Sequence, residues 1–120
     1  MAETGRGKTI AAWVLSVLLA LLFVFAGSQK LMGASEPTQN FAQWGYPAWF
    51  RVLIGLIEVA GGIALLVPSL TLYAAGALGA VMFGAIYTHI TKAAPGVPVP
   101  IVCLIILAFI SFARRPAPAT

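Results

Sequence analysis

The stretch RVLIGLIEVAGGIALLV, Arg51 to Val67, decides how the whole chain is read. It approaches the roughly 20 helical residues needed to cross a hydrocarbon core about 30 Å thick. Inside it stands one carboxylate, Glu58. Arg51, Gly55, Glu58 and Gly62 are spaced four, three and four apart, so a helix carries them on a single face, and Val, Leu, Ile and Ala fill the others. A lone carboxylate at mid-bilayer costs about 2.5 to 3.5 kcal/mol on insertion scales. Glu58 must therefore be neutral or paired, on a stripe that faces other helices rather than lipid.

The rest of the chain has the same character. Of 120 residues, 61% are hydrophobic and 8% charged, and the mean hydropathy is +0.99, which leaves too little polar surface for a soluble domain. The expected fold is all-α, an integral membrane four-helix bundle forming a single domain over residues 1–120. Its spans lie near Thr9 to Ser28, Trp49 to Val67, Leu70 to Ile90 and Val97 to Phe112. The last is short, and Pro98 and Pro100 suit its first turn, where a missing N–H costs nothing. Pro68 and Ser69 alone separate the second and third spans, which must be antiparallel neighbours. Leu31 to Ala48 is the one substantial loop. It mixes Gly33, Pro37, Asn40, Gly45 and Pro47 with Phe41, Trp44 and Tyr46, as expected of a segment at headgroup level.

Charge sets the orientation. Three acids face seven bases, and Arg6, Lys8, Arg114 and Arg115 near the chain ends outnumber Lys30, Arg51 and Lys92. The positive-inside rule then puts both termini in the cytoplasm, and the basic ends suit anionic lipid rather than nucleic acid. A cleaved signal peptide ending near Ala26, Gly27 and Ser28 is the competing reading of the first span. Its apolar run exceeds the roughly 7 to 15 residues of a signal core. Cys103 is the single cysteine, so no intramolecular disulfide or CxxC pair exists.

In that orientation Lys30, Arg51, Glu58 and His89 all sit toward the outer leaflet. Ser16, Ala20, Phe23, Gly27 and Lys30 form a stripe on the first span like that on the second. Helical side chains tilt toward the N-terminus, so Glu58 reaches toward the depth of Arg51. These four residues are the candidate binding site, with Glu58 and His89 as candidate catalytic groups. Whether they also meet laterally is not written in the sequence. One histidine and one cysteine on different spans argue against a protein-only zinc site, while a haem ligated axially through His89 stays open. Gly76, Ala80 and Gly84 read as a small-residue run for tight packing or dimerisation. Trp13, Trp44 and Trp49 read as interface anchors, Arg114 and Arg115 as a topology signal, and Cys103 as core.

These residues resemble a known family. FAGSQKLMG (Phe25 to Gly33) is similar to the end of the first helix in DoxX and DoxX-like membrane proteins, and PAWFRVLIGLIEVAGGIALLVP (Pro47 to Pro68) to their second-helix signature. AIYTHI at the end of the third span is a weaker match. The resemblance implies a four-helix membrane bundle in a bacterial cytoplasmic membrane, but no single activity. The family takes its name from a subunit of an archaeal thiosulfate:quinone oxidoreductase, other members are linked to membrane oxidoreductase complexes, and similar folds occur in eukaryotic receptor-assembly factors. Some relatives carry cysteine pairs that this chain lacks, which sets a dithiol mechanism aside.

The leading expectation is a partner subunit or lipophile-binding module of a membrane redox system, with a quinone as candidate ligand. Oxidoreductase subunits or a second copy of the chain are its candidate protein partners. An enzyme acting on an epoxide or prenyl substrate, with Glu58 as buried acid, and a ligand-free assembly factor are the alternatives.

Overall fold

In the computed structural model, residues 2–114 are described, with side chains from residue 7 onward. The Arg115 half of the C-terminal basic pair and the Arg6 side chain lie outside that description. Five helices follow one another: α1 (Ala2–Met32), α2 (Ser35–Gln43), α3 (Ala48–Leu65), α4 (Thr71–Thr91) and α5 (Pro98–Arg114). Three of them, α1, α3 and α4, are long and apolar enough to cross a membrane, and α5 is apolar but only 17 residues long. The chain is an all-α membrane protein.

The expected count of four helices is corrected by α2, which occupies the middle of the segment read as a loop. Gly33 and Gly45 flank this helix instead of breaking it. Both adopt positive φ (72° and 85°) and close the preceding helix with i→i−5 bonds, Ala34 N–H to Gln29 O at 3.0 Å and Tyr46 N–H to Phe41 O at 2.9 Å. Pro37 falls in the first turn, where its missing N–H costs nothing. α1 also outruns its span at both ends. Hydropathy marks only the lipid-exposed part of a helix, and water satisfies the backbone beyond it.

The four long helices form a ring in the order α1, α3, α4, α5, each packed on its neighbours, while α2 lies across one end on α3 and α1. Large apolar side chains point outward; Leu21, Phe83 and Ile105 are 65%, 65% and 63% exposed. Ser16, Glu58, Thr71 and Thr88 are buried among the helices. Water would not tolerate that distribution, and lipid favours it.

Packing along the bundle is uneven. Leu19, Phe23, Leu65, Ala74, Leu78, Leu107 and Ile110 make a dry core toward the α3–α4 corner. Toward α2 Met82 and Cys103 continue it, and a cavity opens beyond them.

The tightest approach is between α1 and α3. A Cβ built on Gly27 would lie 2.6 Å from the Gly55 carbonyl oxygen and 2.9 Å from the Val59 nitrogen, both backbone atoms that cannot rotate away. Gly27→Ala is therefore expected to destabilise the protein by about 1 to 3 kcal/mol, the range for overpacking. Gly76→Ala, with nothing within 4 Å, should be neutral or slightly stabilising through helix propensity. Equal unfolding midpoints for the two variants in mixed micelles would refute the close crossing.

Candidate functional site

The glycine crossing is what lets two charges meet. α1 runs toward α2 and α3 runs away from it, so Lys30 lies one turn past Gly27, and Glu58 lies one turn past Gly55 in the opposite direction. Each side chain leans back toward its own N-terminus, hence toward the other. Lys30 Nζ stands 2.8 Å from Glu58 Oε1, with the side chains 17% and 5% exposed. At that distance the two groups form an ion pair.

Both residues line a half-open cavity of about 1130 Å³. Its walls come from α1 (Leu22, Phe25, Ala26), α3 (Leu53, Ile54, Ile57) and α4 (Ala77, Ala80, Val81, Gly84), with Phe41 and Trp44 of the α2 segment across the end. Phe25, Leu53 and Tyr87 at its margin are exposed, so the opening is apolar and faces the lipid zone. A smaller cavity of about 540 Å³ adjoins it, sharing Glu36, Asn40, Trp44 and His89 and adding Gln43 and Lys92. The space thus grades from apolar beside α4 to polar beneath α2.

Of the four residues expected to converge, three reach the cavity: Lys30, Glu58 and His89. His89 Nδ1 donates to the Ala85 carbonyl at 2.7 Å, a bond that assigns the ring proton to Nδ1 because a carbonyl only accepts. Its ring packs on Trp44 with centroids 5.5 Å apart. Arg51 is elsewhere. Its Nη1 donates to the Lys30 carbonyl and so caps the C-terminus of α1, where orphan carbonyls and the helix dipole favour a cation. The α1 carbonyl and not the carboxylate is therefore the partner of Arg51.

Sequence reasoning missed two features. Tyr46 Oη and Thr88 Oγ1 are 2.7 Å apart and tie the segment after α2 to the end of α4, while Phe41 is buried among Trp44, Tyr46 and Phe50 at centroid distances of 5.5, 5.8 and 6.2 Å. The aromatic richness of that loop was the available signal. Trp44 is part of this lid, whereas Trp49 is 67% exposed, in keeping with an interface anchor.

The second feature is at the other end of the bundle. Arg114, read as a topology signal, turns inward. Its Nη1 donates to Ser16 Oγ at 2.7 Å and to the Leu65 carbonyl at 2.8 Å, and Nη2 donates to Thr71 Oγ1 at 2.9 Å. The guanidinium also lies 3.6 Å from the centre of the Trp13 ring, which is no simple interface anchor. Both hydroxyls are free to accept because they donate elsewhere, Ser16 to the Ala12 carbonyl at 2.7 Å and Thr71 to the Leu65 and Val67 carbonyls at 3.2 and 3.0 Å.

The small-residue run of α4 does not pack within the chain. Gly76, Ala80 and Gly84 are exposed, and neither Gly76 nor Gly84 has a neighbour within 4 Å of an added Cβ. Thr71, Ala74, Ala75, Leu78, Gly79 and Met82 form the packed face instead. Ala80 and Gly84 line the cavity; Gly76 does not.

Among the described residues, no three His, Cys, Asp or Glu side chains gather as a metal site would require. The chemistry on offer is the Lys30–Glu58 pair, an imidazole and an apolar space.

Comparison with known proteins agrees with this architecture. The uncharacterized protein YdgD of Bacillus subtilis (strain 168) is 29% identical over 100 residues, covering 78% of this chain and 88% of its own. No solved structure matches. Residues 14–110, which include the glycine crossing, the ion pair and the cavity walls, match the DoxX-like family, and the chain belongs to that family.

Proposed function

We propose that this protein is a lipophile-binding subunit of a membrane redox system, which holds a hydrophobic molecule in the cavity beneath α2. One observation carries the reading. Glu58 and Lys30, 5% and 17% exposed, stand 2.8 Å apart as an ion pair on the wall of an apolar cavity. An ion pair on the wall of an apolar cavity offers a polar contact to a ligand that enters it. The volume lies near the upper end for small-molecule sites. A quinone suits the pair, since Lys30 can donate to a carbonyl and Glu58 can accept from the reduced form. The redox context is carried over from the oxidoreductase subunit that gave the family its name. The positive-inside count supports cytoplasmic termini in a bacterial inner membrane, which would turn the cavity toward the outer leaflet.

The test is mass spectrometry of small molecules and subunits that copurify with the detergent-extracted protein. A lipophile enriched in the wild type and reduced at least tenfold in Glu58→Gln, with helix content unchanged, is the expected result. Identical profiles in both proteins would remove the reading, and only packing would then be left for the pair. A Soret band in the purified protein would instead indicate haem, with His89 as its candidate ligand.

A further inference from the structure

We infer that the ligand of this cavity is a neutral long-chain lipophile bearing a hydroxyl, held by the Lys30–Glu58 pair with its apolar body along Ala77, Ala80 and Gly84 of α4. The inference rests on the binding role proposed above and adds the chemical class and the binding pose.

Charge is the first argument. Lys30 and Glu58 stand 2.8 Å apart, so their formal charges cancel locally, and a charged head against them would go uncompensated, since the lining's other charged residue, Glu36, belongs to α2 across the end. The second is donor–acceptor bookkeeping. The Glu58 carboxylate lines the cavity and only accepts, while the ammonium has three N–H donors and one close carboxylate contact. A group that serves both must donate and accept at one atom. A hydroxyl does so, that of a reduced quinone included; an ether or a carbonyl alone can accept from Lys30 but offers nothing to the carboxylate.

The third argument is shape. Ala77, Ala80 and Gly84 put a small-residue strip on the α4 wall beside Val81 and Met82, and no atom lies within 4 Å of an added Cβ at Gly84. Leu53 and Ile57 of α3 line the same cavity. Small residues among bulky ones leave a slot for an alkyl or isoprenoid chain that enters from the lipid side. Gly76, one turn beyond Ala80, is equally open but lies outside the cavity, so it is a control within the same stripe.

The test uses the full chain in phosphatidylcholine nanodiscs and a diazirine-bearing long-chain primary alcohol, with its methyl ether as matched probe. The alcohol is expected to label the peptide containing Ala77 to Tyr87 saturably, and the ether about tenfold less or weaker still, the ratio for one hydrogen bond to a charged group. Gly84→Leu should cut alcohol labelling at least tenfold, and Gly76→Leu should leave it unchanged. Equal labelling by alcohol and ether, both blocked by Gly84→Leu, would overturn the hydroxyl assignment and leave the cavity reading intact. Wild-type labelling in Gly84→Leu would overturn the pose. Saturable labelling by neither probe would overturn the inference, while the copurification result would still decide the broader reading separately.

Discussion

Lys30→Met is expected to lower the unfolding free energy of the protein by about 3 kcal/mol, the loss typical when one partner of a buried pair is removed. Insertion scales for a lone carboxylate at mid-bilayer give about the same figure. The two sources agree because they describe the same event, a charge kept from water without a counter-charge. A Lys30→Met, Glu58→Leu double variant removes both charges and should recover most of that loss, since apolar replacements of buried pairs are often neutral or stabilising. Steric trapping in bicelles can measure all three proteins. A loss below about 1 kcal/mol for Lys30→Met would mean that water in the cavity solvates Glu58, and that the pair matters little to the fold. The double variant is informative for function as well: it keeps the helices together while removing the polar contacts proposed for the ligand.

Arg114→Leu carries the next largest expected effect, about 2 to 3 kcal/mol. Three hydrogen bonds contribute about 0.6 kcal/mol each by the average for membrane helices, and the contact with Trp13 about 0.5 to 1 kcal/mol. The figure is modest per bond, but the bonds are unusual in reach. Ser16 belongs to α1, Leu65 to α3, Thr71 to α4 and Arg114 to α5, so one guanidinium touches every long helix. Arg114→Lys should rescue less than half of the loss, because a point charge cannot span three acceptors set out for a planar fork. Trp13→Leu should cost about 1 kcal/mol or less. If Arg114→Leu and Trp13→Leu lose the same amount, the hydrogen-bonded hub is not what holds this end of the bundle.

Together the two sites divide the bundle. Near the α3–α4 corner, a dry core and the Arg114 hub hold the four helices in register. Beneath α2, the helices are joined by the glycine crossing, the ion pair and the aromatic lid, and space is left between them. A binding site in the loosely packed half can rearrange around a ligand without disturbing the half that sets the topology.

Much of this was legible in the chain. The apolar runs gave away the membrane and the long helices, because hydrophobic length is tied directly to bilayer thickness. The four-three-four spacing around Glu58 and the matching stripe ending at Lys30 put both residues on inward faces, since helical periodicity alone collects such residues on one side. α2 escaped notice because glycine and proline signal loop by composition, whereas here they terminate helices. Arg114 escaped because a terminal arginine on a membrane protein has a ready explanation in topology.

What the sequence determined by itself, then, is depth and face: which residues share a level in the bilayer and which point inward, both consequences of a rise and a period that every helix obeys. What only the tertiary structure decided is lateral: that α1 crosses α3 at Gly27 and Gly55, that Arg51 caps α1 and leaves Glu58 to Lys30, and that Ala80 and Gly84 of α4 line a cavity. Lateral order depends on how side chains of different helices fit against one another, and no period within a single helix encodes that fit.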